Sequence, residues 1–179
     1  CIVCGHMSTL AIPRVQIIDP DIEFRETLPS YLRNCGYWVE TCGNLDGGLE
    51  QAAHANFDVI LVENALPETV GLTVLPTLQA CQSNPCILLM SQDPGTALVR
   101  TALKEGAFDF LIKPLELAQI EKSVAAGLEN RKAFLEIYHL SRDLQEANQQ
   151  LQETNQQLSE QKRLLEIERD HLKEWAREL

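Results

Sequence analysis

"FDVILVENALPE", residues 57–68, carries four consecutive apolar residues, Val59, Ile60, Leu61 and Val62, and then delivers Glu63 just before a proline turn. A run with no polar alternation is what a strand buried on both faces requires, as in the middle of a parallel sheet. A glutamate placed where such a strand emerges is costly unless something receives its charge. Working outward, the rest of the chain supplies both the sheet and the candidates for that partner.

Four more short apolar runs recur along the chain: "VQII" from Val15, "YWVETC" from Tyr37, "CILLM" from Cys86 and "FDFLI" from Phe108. Between the five lie amphipathic segments, "IEFRETLPSYLRNCG", "LDGGLEQAAHAN", "VGLTVLPTLQACQ" and "TALVRTALKEGA", with Gly36 and Gly106 placed as C-terminal helix caps. Strand and helix alternating in this way specify βαβ units, and the fold class is α/β, a doubly wound parallel sheet. In such sheets the site lies beyond the carboxyl ends of the strands, where strand order reverses. Asp19, Glu63, Ser91 and Lys113 follow four of the runs, which brings two acids, a hydroxyl and an ammonium to one sheet edge.

The chain has 179 residues and 45% hydrophobic content, enough for one domain with a real core plus an extension. Its 15 basic and 26 acidic residues give a net charge of −11, and residues 1–130 hold 7 of the basic and 16 of the acidic ones. An acidic domain repels phosphate backbones, so the expected partners are proteins rather than nucleic acid. "ILLM" is far shorter than the roughly 20 apolar residues of a membrane span, so no membrane role is expected. The cysteines follow no small-scaffold spacing, which points to a reducing, cytoplasmic setting. Cys1, Cys4 and His6 form at most a metal half-site, and residues 1–7 are read as an expression leader ending at Met7.

"VQIIDPDIEFRETL", "FDVILVENALPETVGL", "ILLMS" and "GAFDFLIKPLE" together resemble the receiver domain of bacterial two-component response regulators, over residues 14–128. The resemblance implies a flavodoxin-like sheet in the order 2-1-3-4-5 flanked by five helices, and a phosphoryl switch on an aspartate ending the third strand. That position is Glu63 here. The acidic pair that holds Mg²⁺ in the family corresponds to Asp19 and Pro20, so one carboxylate is missing. Ser91 matches the hydroxyl that contacts the phosphoryl group, Lys113 the lysine, Phe110 the switch aromatic, and Pro114 the proline whose peptide bond is usually cis. No cofactor is expected, and Asp19 with Glu63 would hold Mg²⁺ weakly at most, since the ion demands near-ideal octahedral geometry. Acyl-phosphate chemistry is expected to be lost, leaving a receiver that signals by contact and is not an enzyme. Two alternatives stay open, a phosphorylatable regulator using Glu63 or Asp58 and a thiol sensor using Cys81 and Cys86. A flavodoxin-like cofactor enzyme is disfavoured, because no GxGxxG loop is present and the first turn is the acidic "DPD".

Past residue 128 the last helix meets no stop signal, Gly127 interrupting it by only about 1 kcal/mol. Leu144, Leu151, Leu158, Leu165, Leu172 and Leu179 recur every seventh residue, preceded by Ile137, which defines a left-handed coiled coil. With these at d, the a positions are Asn148, Asn155, Lys162, Arg169 and Ala176, a pattern favouring a parallel two-stranded homodimer. The expected organisation is thus a leader over 1–7, a receiver-like domain over 8–128 and a dimerisation helix over 129–179, leading toward an output domain beyond Leu179 and toward other signalling proteins.

Overall fold

In the computed structural model, residues 12–80, 84–92 and 95–177 are described. Residues 1–7, Cys81 and Leu179, singled out above, lie outside them. Strands β1 (Arg14–Ile18), β2 (Trp38–Cys42), β3 (Val59–Glu63), β4 (Cys86–Ser91) and β5 (Asp109–Ile112) form one parallel sheet in the order β2-β1-β3-β4-β5. Helices α1 (Ile22–Asn34), α2 (Leu45–His54), α3 (Gly71–Gln79), α4 (Thr96–Lys104) and α5 (Leu117–Trp175) alternate with them.

The central strands are buried on both faces, as the unbroken apolar runs require: Val59 to Val62 and Ile87 to Met90 are all essentially without exposure. Alternate residues feed two cores. Val15, Ile17, Val59, Leu61, Leu88 and Met90 pack toward Leu28, Leu32, Ile120 and Val124, whereas Ile18, Ile60, Val62, Ile87 and Leu89 pack toward Val74, Leu75, Leu78 and Ala102. Gly36 and Gly106 end α1 and α4 with φ of 95° and 97°, left-handed values that glycine alone adopts without strain.

Two readings change. Glu63 and Ser91 do not follow their strands but close them, paired in register with Met90 and Ile112. Gly127 is more than a tolerated interruption of α5. A Cβ there would meet Cys86 Sγ at 2.9 Å, so the glycine is what lets the helix approach β4. The tertiary contacts of α5 also continue past Leu128, through an Arg131–Asp58 ion pair at 2.6 Å. The chain divides into two compact units, the first ending at Ala133 and the second running over Phe134–Leu179.

Candidate functional site

The carboxyl ends of β1, β3, β4 and β5 open onto a cleft of about 310 Å³ lined by Asp19, Pro20, Asp21, Glu63, Asn64, Ala65, Ser91, Gln92 and Lys113. All four residues that the sequence brings to this edge line it. None is a solvated surface group: Asp19, Glu63 and Ser91 are buried, and the Lys113 side chain is 12% exposed.

Lys113 organises the charges. Its Nζ donates to Asp19 Oδ2 at 2.5 Å and lies 2.7 Å from Glu63 Oε2, the second contact being an ion pair off the hydrogen-bond axis. The other oxygen of each acid is held by backbone. Asp19 Oδ1 accepts from Asp21 N–H at 2.9 Å, and Glu63 Oε1 accepts from Ala65 N–H at 3.0 Å. Burial pushes the Asp19 carboxyl above its ordinary pKa of 3.8, and this outweighs the lowering effect of the Lys113 hydrogen bond and charge. For Lys113, burial alone would lower the pKa below 10.5, but the hydrogen bond to Asp19, the close contact with Glu63 and both negative charges together raise it. The cluster therefore keeps its cation at any physiological pH.

Local structure fixes these positions. The Lys113 N–H donates to Ser91 O at 2.8 Å, Asn64 N–H to Met90 O at 2.7 Å, and the Lys113-Pro114 peptide is cis, as the resemblance implies. Phe110 is half-buried and packs inward on the core around Ile60, Val62 and Leu89.

Three contributors escaped the sequence reading. Phe24 on α1 presents its ring face to Lys113, with Nζ 4.5 Å from the centroid, a cation–π contact beside the two ion pairs. Asp21, the second acid of "DPD", caps α1 by accepting from Phe24 N–H at 3.2 Å, which an N-cap search would have found. Gly71 opens α3 against the β3 end. A Cβ there would fall 2.4 Å from Glu63 O, and its N–H donates to Asn64 O at 2.7 Å.

The residues present do not suit a Mg²⁺ ion. Asp19 and Glu63 are both committed to Lys113, Pro20 offers no carboxylate, and no metal-holding group of three His, Cys, Asp or Glu occurs among the described residues. The other candidate acceptor, Asp58, precedes β3 at the opposite end of the strand. There it accepts from Arg14 N–H at 2.7 Å and pairs with Arg131, outside the cleft. The thiol of Cys86 is buried, and burial pushes it up to about 12, which leaves almost no thiolate at neutral pH.

The response regulator receiver domain model matches residues 15–125, most of the first compact unit. The chain belongs to that family. Its curated relatives include the transcriptional activator protein PfeR of Pseudomonas aeruginosa, 34% identical over 124 residues, covering 69% of this chain and 40% of that protein. The regulatory protein AtoC of Escherichia coli is 28% identical over 134 residues, covering 75% of this chain and 29% of that protein. The chain thus spans less than half the length of these relatives. Among solved structures, a response regulator from Burkholderia pseudomallei with a phosphorylated aspartic acid, a calcium ion and citrate is 28% identical. Its TM-score is 0.59, with 76% of this chain and 86% of that chain covered. The signal receiver domain of an HD domain-containing protein from Pseudomonas fluorescens shares the fold, with a TM-score of 0.67 at 20% identity, covering 73% of this chain and 98% of that one. The last helix is long, as expected, and no helix among the described residues is long and apolar enough to cross a membrane.

Proposed function

We propose that this receiver works without phosphorylation: it presents a fixed, internally paired site, dimerises through its C-terminal helix and passes a signal by protein contact to an output domain in the full protein. The observation that carries this reading is the capture of Lys113 by both Asp19 and Glu63 beside a proline that replaces the second metal-binding acid. In family members that lysine meets the phosphoryl group, and here a resident carboxylate occupies it. Glu63 acts as a permanent, weaker substitute, since a carboxylate offers one charge and two oxygens where a phosphoryl group offers up to about two charges and three oxygens. The packing of Phe110 against the core is in keeping with the inward arrangement that the family resemblance associates with the active state.

For the helix, support comes from an apolar stripe left uncovered on a single chain. Ile137, Leu144, Leu151, Leu158, Leu165 and Leu172 are each more than half exposed. In a parallel pair the g and e positions would set Glu168 of one chain opposite Lys173 of the other, an attractive contact that an antiparallel pair lacks. The test is treatment with acetyl phosphate and Mg²⁺ followed by intact-mass measurement. Unchanged mass is expected, and stoichiometric phosphorylation at Glu63 would overturn the reading.

A further inference from the structure

The last heptads of the stalk carry apolar residues that the leucine seam does not use. Leu164, Ile167 and Trp175 are 61%, 49% and 64% exposed, and none stands at a or d. A helix advances about 100° per residue, so Leu164 lies about 100° around the axis from the d leucine Leu165 at nearly the same height. His171 stands in the same relation to Leu172, and Trp175 to Ala176. Higher in the stalk the equivalent positions are polar: Glu136, Asp143, Gln150 and Gln157 each precede a d residue. The change at Leu164 is therefore local to residues 161–175, where Leu164, Ile167 and Trp175 fall with His171 on one stripe at spacings of three, four and four.

We propose that the end of the stalk pairs with a second copy of this chain through either of two seams one residue apart. This rests on the reading that the stalk dimerises. The first seam uses Leu165, Leu172 and Ala176 at d and a, with Lys162 and Arg169 as the intervening a layers. In a parallel dimer each of those layers brings like cations together, which weakens the seam where its leucines should be strongest. The second seam uses Gln161, Leu164, Glu168, His171 and Trp175, with Ile167 on its flank; it turns Lys162 and Arg169 out to solvent but carries one like-charged layer of its own at Glu168. Passing into it from Leu158 needs a spacing of three and three in place of four and three, one residue fewer than the heptad gives, which locally overwinds the coiled coil. The occupant is the second copy because the seam through Leu144, Leu151 and Leu158 continues into both alternatives and already holds the two chains in register. The two seams bury comparable apolar content, so a modest bias selects between them and turns whatever follows the stalk by about 100°.

Trp175 reports the choice, since it is buried in the second seam and outside the first. In the 179-residue Trp38→Phe chain it is the only tryptophan, and its quenching by iodide is measured at concentrations where light scattering gives a dimer. Lys162→Leu with Arg169→Leu fills the a layers of the first seam, whereas Leu165→Gln with Leu172→Gln removes that seam and spares the second. Both variants are expected to stay dimeric, with quenching several-fold weaker in the second. Equal quenching in the two variants, or a monomeric Leu165→Gln/Leu172→Gln protein, overturns the second seam. Shielding that persists in Leu144→Asp/Leu151→Asp monomers overturns it too, by locating the contact within one chain. A Leu144→Asp/Leu151→Asp protein that stays dimeric sinks the stalk reading itself, which is a separate failure.

Discussion

Replacing Lys113 by Met keeps the unbranched stem against Phe24 and removes the ammonium. Two buried carboxylates, Asp19 and Glu63, then face each other without a cation, in a site where their side chains are 1% and 6% exposed. Breaking a buried ion pair by removing one partner costs about 3 to 5 kcal/mol. Against a typical domain stability of about 5 to 15 kcal/mol, that leaves a receiver still folded but plainly weakened. The converse change is expected to be mild. Glu63→Gln leaves Asp19 and Lys113 as a matched pair, and an amide oxygen can still accept from Ala65 N–H, so the cost is about 1 kcal/mol. Urea unfolding followed by Trp38 fluorescence in a Trp175→Phe background reads the receiver apart from the stalk.

The pH dependence has a definite sign. Asp19 has a raised folded pKa, so its contribution to stability is present below 3.8 and is lost as pH rises through the folded value. Without Lys113 the Asp19 carboxyl ionises less readily still, so the Lys113→Met deficit should shrink as pH falls toward the ordinary carboxylate range. Lys113, also raised, contributes fully below 10.5 and loses its contribution as pH climbs through the folded value above it. Wild type should therefore weaken on that alkaline side, and Lys113→Met should lack that loss. A Lys113→Met protein within about 1 kcal/mol of wild type at neutral pH, with no recovery on acidification, would refute the idea that the cluster depends on its cation.

Leu151→Asp with Leu158→Asp places charges in the apolar seam and should give folded monomers by light scattering; an unchanged dimer would move the interface to the receivers. Gly127→Ala should destabilise the receiver by about 1 to 3 kcal/mol, because its Cβ meets Cys86 Sγ at 2.9 Å, and Cys86→Ala should restore most of the loss; helix propensity alone predicts the opposite sign for the first change. Glu63→Asp draws the carboxylate about 1.5 Å back toward its own backbone and should not restore phosphorylation alone, whereas Pro20→Asp with Glu63→Asp should, as read by intact mass after acetyl phosphate treatment.

The sheet was legible because burial on both faces leaves a plain mark: Val59 to Val62 and Ile87 to Met90 have no polar alternation, and Gly36 and Gly106 sit where a left-handed residue must end a helix. The membership of the cleft followed from one topological rule. What the sequence could not carry was how its charges share a cation. Lys113 and Asp19 are 94 positions apart, and their meeting depends on strand register and on a helix bringing Phe24 over the same ammonium. Gly127 was misjudged for a related reason. Read locally it is a small propensity cost, and only the approach of α5 to Cys86 shows that a side chain would not fit.

The substitutions at positions 20 and 63 make sense as a pair. With an acidic pair and an aspartate, a receiver of the kind the family resemblance describes sets three carboxylates against one lysine, and a divalent cation offsets the excess. Pro20 removes one carboxylate, leaving Asp19 and Glu63 in contact with the one ammonium, a smaller excess of negative charge at the lysine. A side chain as short as aspartate would hold its carboxylate about 1.5 Å closer to its own backbone than Glu63 does. On the proposed reading the extra methylene brings the carboxylate to Lys113, where the family places a bound group. Adding a phosphoryl group to Glu63 would undo this, raising the negative charge with one lysine to meet it and no metal seat beside it. On the proposed reading Pro20 removes a carboxylate that an ion would offset, and Glu63 pairs with Lys113, the cation that the described residues place beside it.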